Sequence, residues 1–285
     1  MQRTTPQPHR CDAVKATTPY AENVVLLQHL ESELARTLRG EVRFDAGSKA
    51  LYASDASNYR QVPLGVVVPR DVGDLTRALE ICNEYAVPFL TRGGGTSQNG
   101  QCVNVAVVAD VSKCVNRIVW IDPNARTAIV EPGVVCDTLR DAGEKYGLTF
   151  GPDPATHSLC TLGGMIGNNS YGAHSVMAGK TADNVAALQI ATYDGARFWV
   201  GPTQEDRLER IIEKGGRKGE IYRQLRDLRD RYSDAIRREF PQMRRRVSGF
   251  NLDQLLPENG FNVARAGWHR RHLRGDAASE GAPCG

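Results

Sequence analysis

The chain has 285 residues, of which 41% are hydrophobic and 24% charged, with a formal net charge of +3. That length holds one large domain or two small ones, and the composition is ordinary for a globular protein with a sizeable core. The charge is too small to argue for nucleic acid, no apolar run approaches the roughly 18 residues of a membrane helix, and the seven cysteines include no Cys-x-x-Cys pair that would suggest zinc or iron–sulfur ligation.

Residues 1–22 carry Pro, Thr, Gln and Arg without an apolar stretch, and are expected to be a flexible leader with no secretory signal. Together with irregularly spaced cysteines read as free thiols, this points to a cytoplasmic protein, peripheral to a membrane only through a partner. The segment 23–39 predicts a helix, because Val24, Leu27, Leu30, Leu34 and Leu38 recur at three and four residues and Gly40 follows. Residues 66–68, all valine, predict a short buried strand. Residues 71–84 predict a helix capped by Asp71, with Leu75, Ala78, Leu79, Cys82 and Tyr85 on one face.

Strands are predicted at 87–90, 103–110, 117–121 and 127–131, the last closed by Pro132-Gly133, and a helix at 137–146 stopped by Gly147. A further helix over 219–240 presents Ile221, Leu225, Leu228, Tyr232 and Ile236 on one face and ends at Pro241. The arginine run 244–246 reads as a solvated face. Mixed strands and short helices with hairpin-length connections predict an α+β fold rather than a regular doubly wound sheet.

The stretch Thr91-Arg-Gly-Gly-Gly-Thr-Ser-Gln-Asn-Gly-Gln101 organises the rest. Three glycines bury no side chain and cost backbone entropy, so a packing role does not explain them. They let the backbone turn tightly and aim successive N–H groups at an anion. Arg92 adds positive charge; Thr96, Ser97 and Gln98 add neutral donors. A phosphate or pyrophosphate is the natural occupant, against the alternative of an ordinary glycine-rich surface loop. No lysine follows as in a Walker loop, and Gly179-Lys180-Thr181 has His174 where the first Walker glycine belongs. Gly93 and Gly95 begin a dinucleotide fingerprint, but its third position is Gln98.

A second glycine-rich segment runs Thr161-Leu-Gly-Gly-Met-Ile-Gly-Asn-Asn-Ser-Tyr-Gly172. One long phosphate-containing ligand touching both segments is the simplest account of the two. His157 and His174 lie near it; lone histidines are more often structural than catalytic, and no catalytic residue is assigned.

Arg92–Ser97, Glu131-Pro-Gly133 and 161–172, continued by His174-Ser175, Gly179, Thr181, 183–185 and 247–262, together resemble the FAD-linked oxidase superfamily, with its vanillyl-alcohol-oxidase or PCMH-type domain. The branch they resemble is that of the D-lactate, glycolate and D-2-hydroxyglutarate dehydrogenases. The resemblance implies a PCMH-type FAD-binding domain of two α/β subdomains over 57–266, after an N-terminal helical segment 23–56. It implies that Arg92, Gly93, Gly94, Gly95, Thr96 and Ser97 cradle the FAD pyrophosphate with Gln101 nearby. Pro132 and Gly133 would pass close to the cofactor, and Thr161, Gly163, Gly164, Asn169 and Gly172 would line the phosphates and the flavin end. Some relatives bond a histidine of the first loop to the flavin; none stands here, so FAD is expected to bind non-covalently.

Three departures stand out. Tyr171 replaces a small residue, Ala178 replaces a frequent tyrosine, and 267–285 does not resemble the family's Gly-Ser/Thr-Glu-Gly-Thr turn and substrate-binding cap. One GC-rich coding of 267–273, shifted by a base, reads Ala-Gly-Thr-Asp-Gly-Thr, so this tail is expected to be a frameshift product, with a genuine short variant as the alternative. The implied activity is oxidation of a 2-hydroxy acid by hydride transfer to FAD, with a quinone, cytochrome or flavoprotein carrier accepting electrons. The alternatives are a truncated, inactive flavin-binding remnant and, less supported by 247–262, an NADPH-using enolpyruvyl-glucosamine reductase.

Overall fold

The computed structural model describes residues 23–241, 243, 246–247, 249–267 and the backbone of 276–280. The expected leader 1–22, Arg244 and Arg245, Cys11 and Cys284, and tail positions 268–275 and 281–285 lie outside the described residues.

Strand β2 (Gly65–Val68) is buried along its whole length, as an unbroken valine run requires when both faces of a sheet are covered. It pairs in parallel with β4 (Val107–Asp110), which pairs in parallel with β3 (Phe89–Arg92), and β1 (Glu41–Arg43) adds an antiparallel edge to give the order β1-β2-β4-β3. Helices α1 (Val24–Thr37) and α3 (Val72–Glu84) bury Leu30, Leu34, Leu75, Ala78, Leu79 and Cys82 against this sheet, the faces expected from their periodicity. Asp71 caps α3 by accepting the Asp74 amide at 3.0 Å. The stretch 23–56, read as a separate helical segment, contains α1, β1 and α2 (Ala46–Leu51); because β1 runs along β2, it folds into the first sheet.

Asp74 ties these pieces together. Its buried carboxylate accepts the amides of Arg39 at 3.3 Å and Arg70 at 3.0 Å. Replacing it with alanine strands both donors and is expected to lower the unfolding free energy by about 2–3 kcal/mol, read by urea denaturation.

The second sheet is antiparallel throughout, with β5 (Ile118–Asp122), β6 (Thr127–Val130), β7 (Ala187–Ala191), β8 (Arg197–Val200) and β9 (Asp276–Glu280) in the order β5-β6-β9-β7-β8. The tail expected to be unrelated to the domain thus supplies β9, which sits between β6 and β7. One core lies among β6, α4 (Cys136–Glu144) and α5 (Leu162–Asn168). Another joins β7 and β8 to α7 (Glu205–Lys214), α8 (Gly216–Glu239) and α9 (Val263–Ala266). A short helix, α6 (Ser175–Ala178), follows the second glycine segment.

Two sheets of different pairing, with helices on both, give the expected α+β class. The predicted strand 103–110 shortens to β4, since the chain leaves the Gln101–Cys102 turn and bends at Val105–Ala106 before it pairs. The predicted helix 219–240 is the larger part of α8, which begins earlier at Gly216. The β7–β8 hairpin was not foreseen.

Candidate cofactor-binding site

Strand β3 delivers Arg92 to the first glycine turn, and its guanidinium lies beneath that turn. It donates to the carbonyls of Ser54 at 2.9 Å, Tyr52 at 3.2 Å and Cys102 at 3.3 Å, and stacks over the Tyr52 ring. Tyr52 in turn donates to Asp110 at 2.6 Å; burial, helped by that carboxylate, pushes its hydroxyl up to about 12, so it remains a donor at working pH. Arg92 therefore fixes the turn from below, and its positive charge underlies the loop. Gly95 curls over it at φ +66, where a Cβ would lie 2.6 Å from Nη2.

The glycines have a packing role that reading the sequence excluded: the two loops lie against each other backbone to backbone. A Cβ on Gly93 would stand 1.9 Å from Thr161 Oγ1, and one on Gly94 2.1 Å from the Leu159 carbonyl oxygen. Gly163 approaches Pro132 in the same way, at 2.7 Å from its Cβ. Gly133, whose amide donates to Val115 at 2.8 Å, leaves no room beside the Val111 carbonyl. Pro132, Gly133 and Gly163 are buried and form the floor; Gly94 and Gly164 are exposed above it.

The second glycine segment is not a loop throughout. Its centre is α5, capped by Thr161, whose hydroxyl accepts from the Gly164 amide at 3.4 Å. A threonine at the N-cap is a local helix signal, but the glycines that follow it mask the helix in the sequence. Asn169 ends α5 in the left-handed conformation at φ +46. Its buried side chain accepts the Ala182 amide at 3.0 Å, so that oxygen holds the segment rather than facing the cradle. Gly172 lies against the Asp153 carbonyl and donates its amide to Ser175 at 2.9 Å. Ser97 is buried; its hydroxyl donates to Gln101, and its amide meets the Cys102 sulfur.

Among the described residues, the backbone N–H groups of Gly93, Gly94, Gly95 and Thr96 donate to no protein acceptor. Four consecutive free amides on a turn held over a guanidinium form a concavity for an anion. The residues therefore fit a pyrophosphate-bearing cofactor such as FAD. No His, Cys, Asp or Glu cluster among the described residues is arranged to hold a metal ion.

Both histidines near the site are paired with carboxylates. His157 Nδ1 sits 2.7 Å from Asp137, and His174 accompanies Asp153, donating its amide to that carboxylate at 3.0 Å. Burial works against the charge on Asp153, but the side chain and amide of His174 together hold its carboxyl below the usual range. Asp153 and Ser175 position Gly172 and His174; Ser175 entered the resemblance beside His174, whereas Asp153 was not singled out from the sequence.

Residues 63–201 match the FAD binding domain family. These residues belong to that family. D-2-hydroxyglutarate dehydrogenase of Pseudomonas putida is 33% identical over 240 residues, which are 83% of this chain and 24% of that protein. The glycolate oxidase subunit GlcD of Bacillus subtilis is 34% identical over 160 residues, 55% of this chain and 34% of that one. The chain thus spans about a quarter to a third of the length of these relatives.

Among solved structures, an alkyldihydroxyacetonephosphate synthase superposes with a TM-score of 0.55 at 21% identity, covering 60% of this chain and 34% of the other. A 4-ethylphenol oxidase from Gulosibacter chungangensis gives 0.53 at 19% identity, over 65% of this chain and 37% of its own. The shared fold is the PCMH-type FAD-binding fold, as the resemblance implied. Among the described residues, no helix is long and apolar enough to cross a membrane.

Proposed function

We propose that this chain is the cofactor-holding part of an FAD-dependent oxidoreductase acting on a 2-hydroxy acid, and that it holds FAD without a covalent bond. The observation that carries the reading is the free amide row of Gly93–Thr96, locked against the Thr161 turn within a segment that matches the FAD binding domain family. When bound, the flavin supplies a two-electron acceptor for hydride from the substrate α-carbon.

The chain's residues would act by binding and orientation. Amides 93–96 would hold the pyrophosphate, and Arg92 would keep their turn in shape while adding charge beneath it. Thr161 and Gly164 would close the opposite wall, and the exposed Tyr171 would stand at the rim. The relatives named for D-2-hydroxyglutarate and glycolate support a 2-hydroxy acid substrate. A Kluyveromyces lactis relative is named D-lactate dehydrogenase [cytochrome], which favours a cytochrome among the electron acceptors considered. A second reading is a flavin-binding chain without turnover of its own, favoured by the engagement of both nearby histidines with carboxylates.

The deciding experiment is an absorbance spectrum after incubation with FAD and removal of the excess. The proposal expects a retained oxidised-flavin spectrum, released on acid or heat denaturation. Bleaching by D-2-hydroxyglutarate, glycolate or D-lactate would then separate the oxidoreductase from the binding-only reading. A chain that retains no flavin would sink both.

A further inference from the structure

The bridge that joins the two loop regions carries a pair of thiols. Val135 and Thr161 form an isolated antiparallel bridge. It is flanked by the Leu162 amide donating to Val134 at 2.8 Å and the Cys136 amide donating to Cys160 at 3.0 Å. Cys136 and Cys160 are the next opposed pair, so their side chains leave the backbone on one face. Both are buried in one cluster with Leu139, Phe150, Leu162 and Met165, and the Cys136 thiol donates to the Pro152 carbonyl at 3.5 Å. Opposed residues at such a position stand about 5.5 Å apart at Cα, well within the span of a disulfide.

We propose that Cys136 and Cys160 form a redox-active pair, closed to a disulfide by a hydroperoxide, that fastens the Pro132–Gly133 segment to the Thr161 turn of the cofactor cradle. The two thiols are not equivalent. The neighbouring Cys136 thiol, aided by the Thr156 hydroxyl and by His157, holds the Cys160 thiol below its usual range. The same closeness to Cys160, with burial, pushes the Cys136 thiol up. Cys136 keeps its proton directed at the Pro152 carbonyl, so Cys160 is the attacking thiolate.

The Cys160 thiolate attacks one peroxide oxygen. The O–O bond breaks, Cys160 becomes a sulfenic acid, and the departing hydroxide or alkoxide takes a proton from water. The Cys136 thiol then attacks the Cys160 sulfur, forming the S–S bond and releasing water. The two sulfurs together lose two electrons, and the hydroperoxide gains them. None of the other described cysteines shares this arrangement. Cys82 is buried and pushed up to about 12, Cys102 sits under the Ser97 amide, and Cys114 is exposed.

The test treats the full chain with equimolar hydrogen peroxide, caps residual thiols and maps peptides without reduction. A Cys136–Cys160 linked peptide is expected, with a rise of about 5 °C in the thermal midpoint. Cys160→Ser should give neither, while Cys136→Ser should leave Cys160 to over-oxidise. The wild-type map decides even if a variant folds poorly: no link, or Cys160 joined to another cysteine in comparable yield, overturns the pair. FAD release should be at least about twofold slower from the linked chain, because the cradle is pre-organised. This readout alone rests on the proposed FAD function. Linkage with unchanged release overturns the coupling to the cradle, and a chain that never retains FAD overturns the cofactor reading while the map still decides the pair.

Discussion

Gly94→Ala is expected to abolish FAD retention and to lower stability by about 3 kcal/mol. The new methyl would lie 2.1 Å from the Leu159 carbonyl oxygen, 3.0 Å from its carbon and 3.5 Å from Cys160 Cα. All three are backbone atoms, so no rotamer change relieves the clash, and the two loops must separate. Gly93→Ala meets instead the Thr161 side chain, which can turn at the expense of its cap on α5. Gly164→Ala is the informative control. Its methyl has only Thr161 Oγ1 nearby, at 3.3 Å, and it stands in a helix, where alanine is favoured over glycine by about 1 kcal/mol. Urea denaturation and FAD fluorescence titration of Gly94→Ala and Gly164→Ala separate loop contact from general glycine effects. Equal losses in both would remove the interlocking of the loops as the cause.

That contrast shows which parts of the site were legible beforehand. The amide row is a local property: Gly93-Gly94-Gly95 announces a tight turn in any context, and its position after β3 followed from the hydrophobic run before it. The docking of Gly94 on Leu159 joins residues 65 positions apart, and no local pattern reports it. Arg92 was legible as a charge near the turn but not as a clamp, because its three acceptors are carbonyls, and every residue type supplies one. Helix α1 and α3 could be read from one apolar face each. Helix α5 could not, because glycine-rich Leu-Gly-Gly-Met-Ile-Gly-Asn has poor helix propensity and is held by its Thr161 cap and by burial of Leu162, Met165 and Ile166. The β7–β8 hairpin was missed because it buries only some of its residues, giving neither a clean alternation nor a continuous apolar run.

Arg92→Lys is expected to cost about 2–3 kcal/mol and to weaken FAD binding as a consequence. A guanidinium reaches the Ser54, Tyr52 and Cys102 carbonyls from one planar fork while lying on the Tyr52 ring. A lysine ammonium keeps the charge but cannot serve all three from that direction, nor stack in the same way, so at least one half-buried carbonyl loses its donor. The Tyr52→Phe variant leaves Asp110 held by the Ser112 amide at 2.9 Å and hydroxyl at 2.6 Å, and should cost less. Because Arg92 rests on that ring, the double variant should be less than additive. The two properties measured together discriminate between roles for Arg92. If Arg92 supports the turn from beneath, stability and FAD affinity fall together in Arg92→Lys. If the guanidinium instead grips the pyrophosphate directly, affinity falls while the denaturation midpoint stays in place, and the carbonyl clamp would not be what shapes the cradle.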